Sequence, residues 1–129
     1  MRYNFHIDPC PAPRMVNSDR WKQRPIVSKY FGFRNELRCL ANIQGLRELP
    51  GKIDMIVFCI TMPSSWSKKK KELMKGTPHM VRPDLDNLLK GLIDGICPED
   101  NYIHSIGQLS KIWAMAGSIE LRYKSVNIK

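Results

Sequence analysis

The feature that most constrains the fold is an apolar stretch near the middle of the chain. Ile53 to Met62 is apolar and rich in β-branched residues, and the Pro50-Gly51 turn before it and Pro63 after it bound the stretch. A run of this length and composition between turn signals is typical of a buried strand. The sequence therefore predicts a sheet that has this segment as a central strand.

Three further segments have the pattern of strands. Residues 3–8 alternate in hydropathy and lead into a proline-rich loop at 9–13, where a strand cannot continue because proline lacks the backbone N–H. Residues 102–113 and 117–123 form two more predicted strands, and Met115-Ala-Gly117 between them predicts a tight turn. We therefore expect the chain to end in a β-hairpin.

Helical periodicity appears in two longer segments and one short one. From Lys29 to about Gln44, apolar residues recur at helical spacing, and Gly45 is a candidate C-terminal stop. A broader apolar stripe predicts a second helix over residues 85–96, with Asp84 as its N-cap. Residues 64–72 begin with serines that can cap a short helix, and the four lysines that follow keep this helix from being fully buried.

The size and the apolar runs of the chain predict one domain without a membrane anchor. A chain of 129 residues is close to the usual size of one domain, so we expect a single domain over residues 1–129. The apolar runs are far shorter than the roughly 18 residues of a membrane-spanning helix. Asp8 lies where a secretory signal would continue its apolar region. We therefore expect a cytoplasmic protein with no membrane partner.

The four cysteines are far apart and have no paired spacing. In a chain without an export signal, this distribution predicts reduced thiols in the core rather than disulfides. An alternative for Cys97 is a zinc site that it would form together with His79 and His104. The cysteines are Cys10, Cys39, Cys59 and Cys97.

The chain is strongly basic, with 21 Lys and Arg residues against 12 acids and a formal charge of +9. Such an excess favours a polyanionic partner through phosphate contacts and counterion release. Binding to a membrane surface is a weaker interpretation, since no amphipathic basic helix stands out. Two basic segments, residues 14–24 and 68–71, are candidates for phosphate contact, and the alternative for each is a solvated surface.

The acids around residue 84 carry the strongest chemical signal. Asp84 and Asp86 lie two residues apart at a helix start, and Asp86, Lys90 and Asp94 recur every four residues, which places them in a row on one helix face. A structural explanation makes Asp84 a cap and the row a set of surface ion pairs. A functional explanation has Asp84 and Asp86 converge with an acid from Glu99-Asp100, giving the oxygen-rich site that Mg²⁺ prefers.

Other motifs that use paired acids or bind phosphate are excluded. A calcium-binding EF-hand loop would need a glycine where this chain has Leu89 and a glutamate where it has Gly95. The glycine-rich phosphate loop and the usual serine and cysteine nucleophile motifs are absent as well. Metal-assisted hydrolysis is the chemistry that remains.

The motif Arg82-Pro-Asp-Leu-Asp-Asn-Leu-Leu-Lys90, followed by Asp94, Glu99-Asp100 and Lys111, resembles the RusA-type Holliday junction resolvases. The resemblance covers about residues 78–124 well and the N-terminal part more loosely. Ser-Trp-Ser-Lys-Lys-Lys-Lys resembles the phage-encoded branch in particular.

The resemblance implies a small two-layer α+β domain with a mixed or antiparallel sheet packed against two to three helices. It implies a Mg²⁺-dependent endonuclease, with Mn²⁺ as a possible substitute and no small-molecule cofactor. Members act as homodimers that nick two opposed strands of a four-way DNA junction. The resemblance also implies a phage or prophage origin and action in the cytoplasm of a bacterial host.

Carried over residue by residue, the resemblance makes Asp84, Asp86 and Asp100 the metal-binding acids and Lys90 the catalytic lysine. Many members have a second Asp at the position that Glu99 occupies in this chain, so the choice between Glu99 and Asp100 as the third metal ligand stays open. Two other functions also stay open: a non-catalytic DNA-binding protein, and a nuclease acting on RNA or other branched DNA. The residues expected to hold the DNA through phosphates are Arg20, Lys22, Arg24, Lys68, Lys69, Lys70, Lys71 and Arg82.

Two glycines of the motif helix depart from the family pattern. Gly91 and Gly95 lie inside the predicted helix, where each is expected to cost about 1 kcal/mol of stability relative to alanine.

Overall fold

A computed structural model of the chain describes residues 1–14, 24–97 and 99–124. Its described part contains three helices and a four-stranded mixed sheet, which confirms the predicted α+β class. No helix in these ranges combines the length and the hydropathy needed to cross a membrane. The elements are β1 (Arg2–Phe5), α1 (Pro25–Ile43), β2 (Lys52–Thr61), α2 (Lys68–Met74), α3 (Leu85–Ile96), β3 (Ser105–Ala114) and β4 (Ser118–Arg122).

The described residues group into two compact units. We call the first the sheet unit, because it contains the four strands together with α2. The second is the helix unit, which contains α1 and α3. The sheet unit comprises the described residues of Met1–Pro9, Pro50–Arg82 and Asn101–Lys129, and the helix unit those of Cys10–Leu49 and Pro83–Asp100.

The central strand predicted at residues 53–62 is confirmed as β2. The order of strands is β1-β4-β2-β3, so β2 is hydrogen-bonded on both sides. It runs parallel to β3 and antiparallel to β4. Its apolar side chains Ile53, Ile56 and Phe58 are fully buried, as the apolar composition predicted. The first strand, β1, is shorter than predicted and ends at Phe5.

Both C-terminal strands are formed, but the predicted hairpin between them is wrong. β2 lies between them, so that Phe58 faces Lys111 of β3 on one side and Ile119 of β4 on the other. Two strand spacings separate β3 from β4 by about 10 Å, a distance that the connection Met115–Gly117 can cross. The local turn signals predict the reversal of direction correctly, but they carry no information about a strand inserted from elsewhere in the chain.

The outer side of β3 is paired with the segment Gly76–His79. The Gly76 N–H donates to the Trp113 carbonyl at 2.8 Å, the Trp113 N–H donates to Thr77 at 3.0 Å, and the His79 N–H donates to Lys111 at 3.0 Å. This short ladder holds the backbone up to residue 79, three residues before the motif that begins at Arg82.

Helix α1 begins at Pro25, four residues before the predicted start at Lys29. Proline fits the first position of a helix, because that position needs no backbone N–H and its fixed φ is already helical. The predicted stop is confirmed, since Gly45 has a φ of 82° just beyond the helix. The buried side of α1 has the expected helical spacing and consists of Val27, Tyr30, Phe33, Leu37 and Ala41.

The two glycines of α3 are explained by close packing within the helix unit. A β-carbon at Gly91 would lie 2.5 Å from the carbonyl oxygen of Cys10, and one at Gly95 would lie 2.7 Å from Cδ2 of Leu37. The Ala12 N–H also donates to the Asn87 carbonyl at 3.0 Å, which ties the segment after β1 to α3. The glycines therefore allow contacts that any side chain would block.

Three of the four cysteines are buried free thiols, as predicted, but Cys39 is exposed. Burial raises the pKa of the Cys10 and Cys59 thiols, and the Cys97 sulfur accepts a hydrogen bond from the Leu49 N–H at 3.2 Å. Cys39 follows the buried Leu37 by two residues, which is about 200° around a helix. It therefore lies on the outer face of α1.

Candidate functional site

The first two acids of the motif lie at the N-terminal end of α3. Asp84 occupies the N-cap position with an extended backbone, and Asp86 lies in the first turn. Both are exposed. The Asp84 side chain makes no capping hydrogen bond, so the explanation of Asp84 as a structural cap is not supported. The positive end of the helix dipole favours two carboxylates at this end.

The row of charges on α3 divides into an exposed part and a structural part. Lys90, one turn beyond Asp86, is exposed. Asp94, one turn further, accepts a hydrogen bond from the Tyr30 hydroxyl of α1 at 2.8 Å. Burial, followed by this hydrogen bond, raises the pKa of Tyr30 well above its ordinary value. Asp94 therefore links α3 to α1, and Asp86 and Lys90 remain as the exposed charges of the row.

The C-terminal end of α3 is also tied to α1. Arg38 donates from Nε to the Gly95 carbonyl at 3.1 Å and from Nη2 to the Asp94 carbonyl at 3.4 Å. The last carbonyls of a helix lack partners within the helix, and a cation near them also complements the helix dipole. Arg38 thus stabilises the helix that carries the candidate site.

Asp100, the third predicted acid, follows the opposite end of α3 and is exposed, as is Glu99. Among residues 1–14, 24–97 and 99–124, no group of three or more His, Cys, Asp or Glu residues could hold a metal ion. The three predicted acids are therefore not brought together in this structure.

The Asp84–Asp86 pair meets the chemical demand of a magnesium site, whereas the described residues contain no group of three acids that could hold the ion. Mg²⁺ typically keeps several waters and binds through one or two carboxylates together with substrate phosphates. The pair supplies such carboxylates on an exposed helix end. The zinc alternative finds no support, since Cys97, His79 and His104 all lie in the described ranges and form no such group.

The predicted DNA-contacting residues have different surroundings. Arg20 and Lys22 lie outside the described residues. Arg24 is the N-cap residue of α1, and its Nη2 donates to the Arg14 carbonyl at 2.6 Å. Arg82 is exposed and precedes the acid pair.

The lysine run forms α2 as predicted, and Ser67 caps it, with Oγ accepting from the Lys70 N–H at 3.1 Å. All four lysines are on the surface, and Lys71 is less exposed than the other three. The Lys70 ammonium lies 4.1 Å from the centroid of the Trp66 ring. That distance permits a cation–π interaction. The run is therefore available to a ligand, with Lys70 also packed on Trp66.

Sequence patterns did not reveal a buried histidine in the segment that joins the lysine run to the acid pair. His79 is 3% exposed, and its ring centroid lies 4.3 Å from that of Trp113, which in turn lies 4.8 Å from that of Trp66. Within the described part of the chain, Nδ1 of His79 is buried without a hydrogen-bond partner. Burial, and secondarily the Lys111 ammonium, lowers the pKa of His79 below its usual value.

We expect this histidine to make folding sensitive to acid. Its pKa is lower in the folded than in the unfolded protein, so the unfolded state binds the proton more readily and stability falls as the pH drops below about 6.5. Urea unfolding at pH 7.5 and pH 5 measures the loss. His79→Phe should remove this part of the pH dependence, whereas His6→Phe, at an exposed position, should retain it. An unchanged dependence in His79→Phe would show that another group is responsible.

Comparison with known proteins places the chain in a family. A protein-family model described as "Endodeoxyribonuclease RusA" matches residues 6–122 of the 129-residue chain. Searches of curated proteins and of solved structures gave no match. The matched range contains α3 and all the predicted site residues, and it agrees with the resemblance identified from the motif.

Proposed function

This chain belongs to the RusA endodeoxyribonuclease family, and from that premise we propose that it is a Mg²⁺-dependent nuclease that resolves four-way DNA junctions by paired, symmetric nicks. The observation that carries the proposal is the acid pair on α3. Asp84 and Asp86 are exposed at one helix end, and the Asp84 side chain makes no capping hydrogen bond. Two exposed carboxylates so close together are expected of a cation-binding site.

We propose that Asp84 and Asp86 hold the magnesium ion, with a DNA phosphate and waters as further ligands. When bound, the ion neutralises the phosphate and lowers the pKa of a water nucleophile. Mn²⁺ is proposed as a substitute, and no small-molecule cofactor is proposed. Asp100 stays assigned as the third acid by the family resemblance alone, because its position after the far end of α3 gives that role no geometric support.

Lys90 is proposed as the catalytic lysine. It is exposed on the same helix, four residues after Asp86, and residues at this spacing lie on the same face. Its ammonium would approach the scissile phosphate and stabilise the negative charge that develops as the bond breaks.

We propose that the basic surface holds the arms of the junction mainly through phosphates, which makes binding largely independent of sequence and sensitive to salt. A junction with two-fold symmetry is most simply cut by a two-fold symmetric homodimer with one active site for each opposed strand. The setting we propose is the cytoplasm of a bacterial host, with the gene carried by a phage or prophage.

The second candidate function is a DNA-binding protein of the same family that does not cut. One observation favours it: the described residues contain no group of three potential metal ligands. Such a protein would keep the basic surface and lose turnover.

A comparison of substrates tests the proposal. The purified protein is incubated with a labelled four-way junction, a flap, a linear duplex and a structured RNA, each with Mg²⁺ or with EDTA. We expect paired symmetric nicks in the junction with Mg²⁺ and none with EDTA. Equal rates on linear duplex would contradict junction selectivity. Binding of the junction without nicks would favour the non-catalytic candidate.

A further inference from the structure

Two exposed apolar side chains precede the candidate site in the chain. Met80 is 83% exposed and Val81 is 58% exposed, directly after the buried His79. We propose that these two residues, here called the apolar tip, insert between the bases of branched DNA close to the phosphate that is cut. This inference rests on the nuclease function proposed above and extends it by assigning a contact with the bases.

The backbone of the apolar tip is tied to β3 at two points within the sheet unit. Before it, the His79 N–H donates to the Lys111 carbonyl at 3.0 Å, and the His79 ring packs on Trp113. At the tip itself, the Lys111 ammonium donates to the Val81 carbonyl at 2.6 Å. A tip that is already ordered loses little conformational freedom on binding. Its side chains are thus exposed on a backbone that hydrogen bonds tie to β3.

The charge around the tip favours DNA over a second copy of the chain. Residues 68–82 contain six Lys and Arg residues and one acid, Glu72. Such a surface attracts phosphates. In a two-fold symmetric contact centred on the tip, the same cations would face each other and repel. An isolated exposed apolar residue needs no explanation, but an exposed apolar pair that is bound by the Lys111 ammonium and followed by Arg82 combines apolar and cationic groups, as do DNA-binding proteins that insert apolar wedges between bases.

The position of the tip in the chain places it near the chemistry. Val81 is three residues before Asp84, so the covalent chain keeps their Cα atoms within about 11 Å of each other. A wedge there would act within a few nucleotides of a phosphate bound at Asp84. Unstacking bases costs least where pairing is already interrupted, so a wedge would favour branch points over continuous duplex and contribute to substrate selection.

Fluorescence of 2-aminopurine, placed at the branch point of a four-way junction, tests the inference. In EDTA, which prevents cutting, binding of the wild-type protein should raise the fluorescence as the base loses its stacking. Met80→Ser should lose most of this rise and should cut about tenfold more slowly with Mg²⁺, because a buried apolar contact the size of methionine is lost. Met80→Leu should behave as wild type. Met115→Ser is the matched control, since Met115 is also an exposed methionine of the sheet unit.

The outcomes separate this inference from the proposed function. A normal fluorescence rise and normal cutting in Met80→Ser would overturn the wedge. A change in oligomeric state in Met80→Ser, measured by size-exclusion chromatography with the rise unaffected, would show that the tip contacts protein instead. If the wild-type protein cuts the junction without any rise, the wedge fails and the nuclease function stands. If it neither binds nor cuts the junction, the proposed function fails and the wedge with it.

Discussion

Asp86→Asn is expected to reduce junction cutting by roughly a hundredfold or more while leaving junction binding nearly unchanged. Asparagine keeps the shape of the side chain and removes the negative charge that a magnesium ligand provides, and losses of this order are typical when one group that stabilises the transition state is removed. Binding should persist because it depends on phosphate contacts with the basic surface. Asp86 is exposed, so the fold should lose no more than about 1 kcal/mol, the contribution of a carboxylate at a helix start.

The measurement is the rate of nicking of a labelled junction under single-turnover conditions, with affinity measured in EDTA by gel shift. Glu36→Gln is the matched control, because Glu36 is also an exposed acid on a helix of the helix unit. It should cut at the wild-type rate. Loss of binding in Asp86→Asn, rather than loss of cutting, would show that Asp86 contributes to the structure or to DNA contact and not to the chemistry.

The same assay decides which acid completes the site. If Asp100 is the third ligand, Asp100→Asn should lose cutting as Asp86→Asn does, and Glu99→Gln should keep it. If both variants cut normally, the acids of α3 hold the ion with phosphate and water alone. That result would agree with the observed placement of Asp100 beyond the far end of the helix.

Sequence patterns predicted the parts of the fold that depend on neighbours in the chain. The apolar stretch around Phe58 predicted β2, and the helical spacing of Phe33 and Leu37 predicted the body of α1. The serines before the lysine run predicted a capped helix, and Ser67 is the cap of α2. The hairpin was wrong because the pairing of β3 and β4 is decided by β2, which lies more than forty residues earlier. Hydropathy alternation specifies which face of a strand is buried, but it does not specify which strand lies beside it.

For the candidate site, too, sequence patterns could locate residues carried by one helix but not residues whose surroundings depend on distant parts of the chain. Asp84, Asp86 and Lys90 could be placed from the sequence because one helix carries them, and helical geometry fixes their relative positions. The role of Asp100 depends on the path of the chain after α3, which local patterns do not predict. Sequence patterns could not predict the burial of His79 either, because it results from packing against Trp113, a residue more than thirty positions later.

Gly91→Ala is expected to lower the free energy of unfolding by about 1 to 3 kcal/mol, although alanine is the better helix former by about 1 kcal/mol. The new β-carbon would lie 2.5 Å from the Cys10 carbonyl oxygen, so the backbone of one segment must move. Gly32→Ala is the matched control, since Gly32 lies within α1 and a β-carbon there would meet no atom within 4 Å. It should raise the free energy of unfolding by about 1 kcal/mol. Urea denaturation of both variants measures the difference, and an equal gain in both would contradict the close approach of residue 10 to α3.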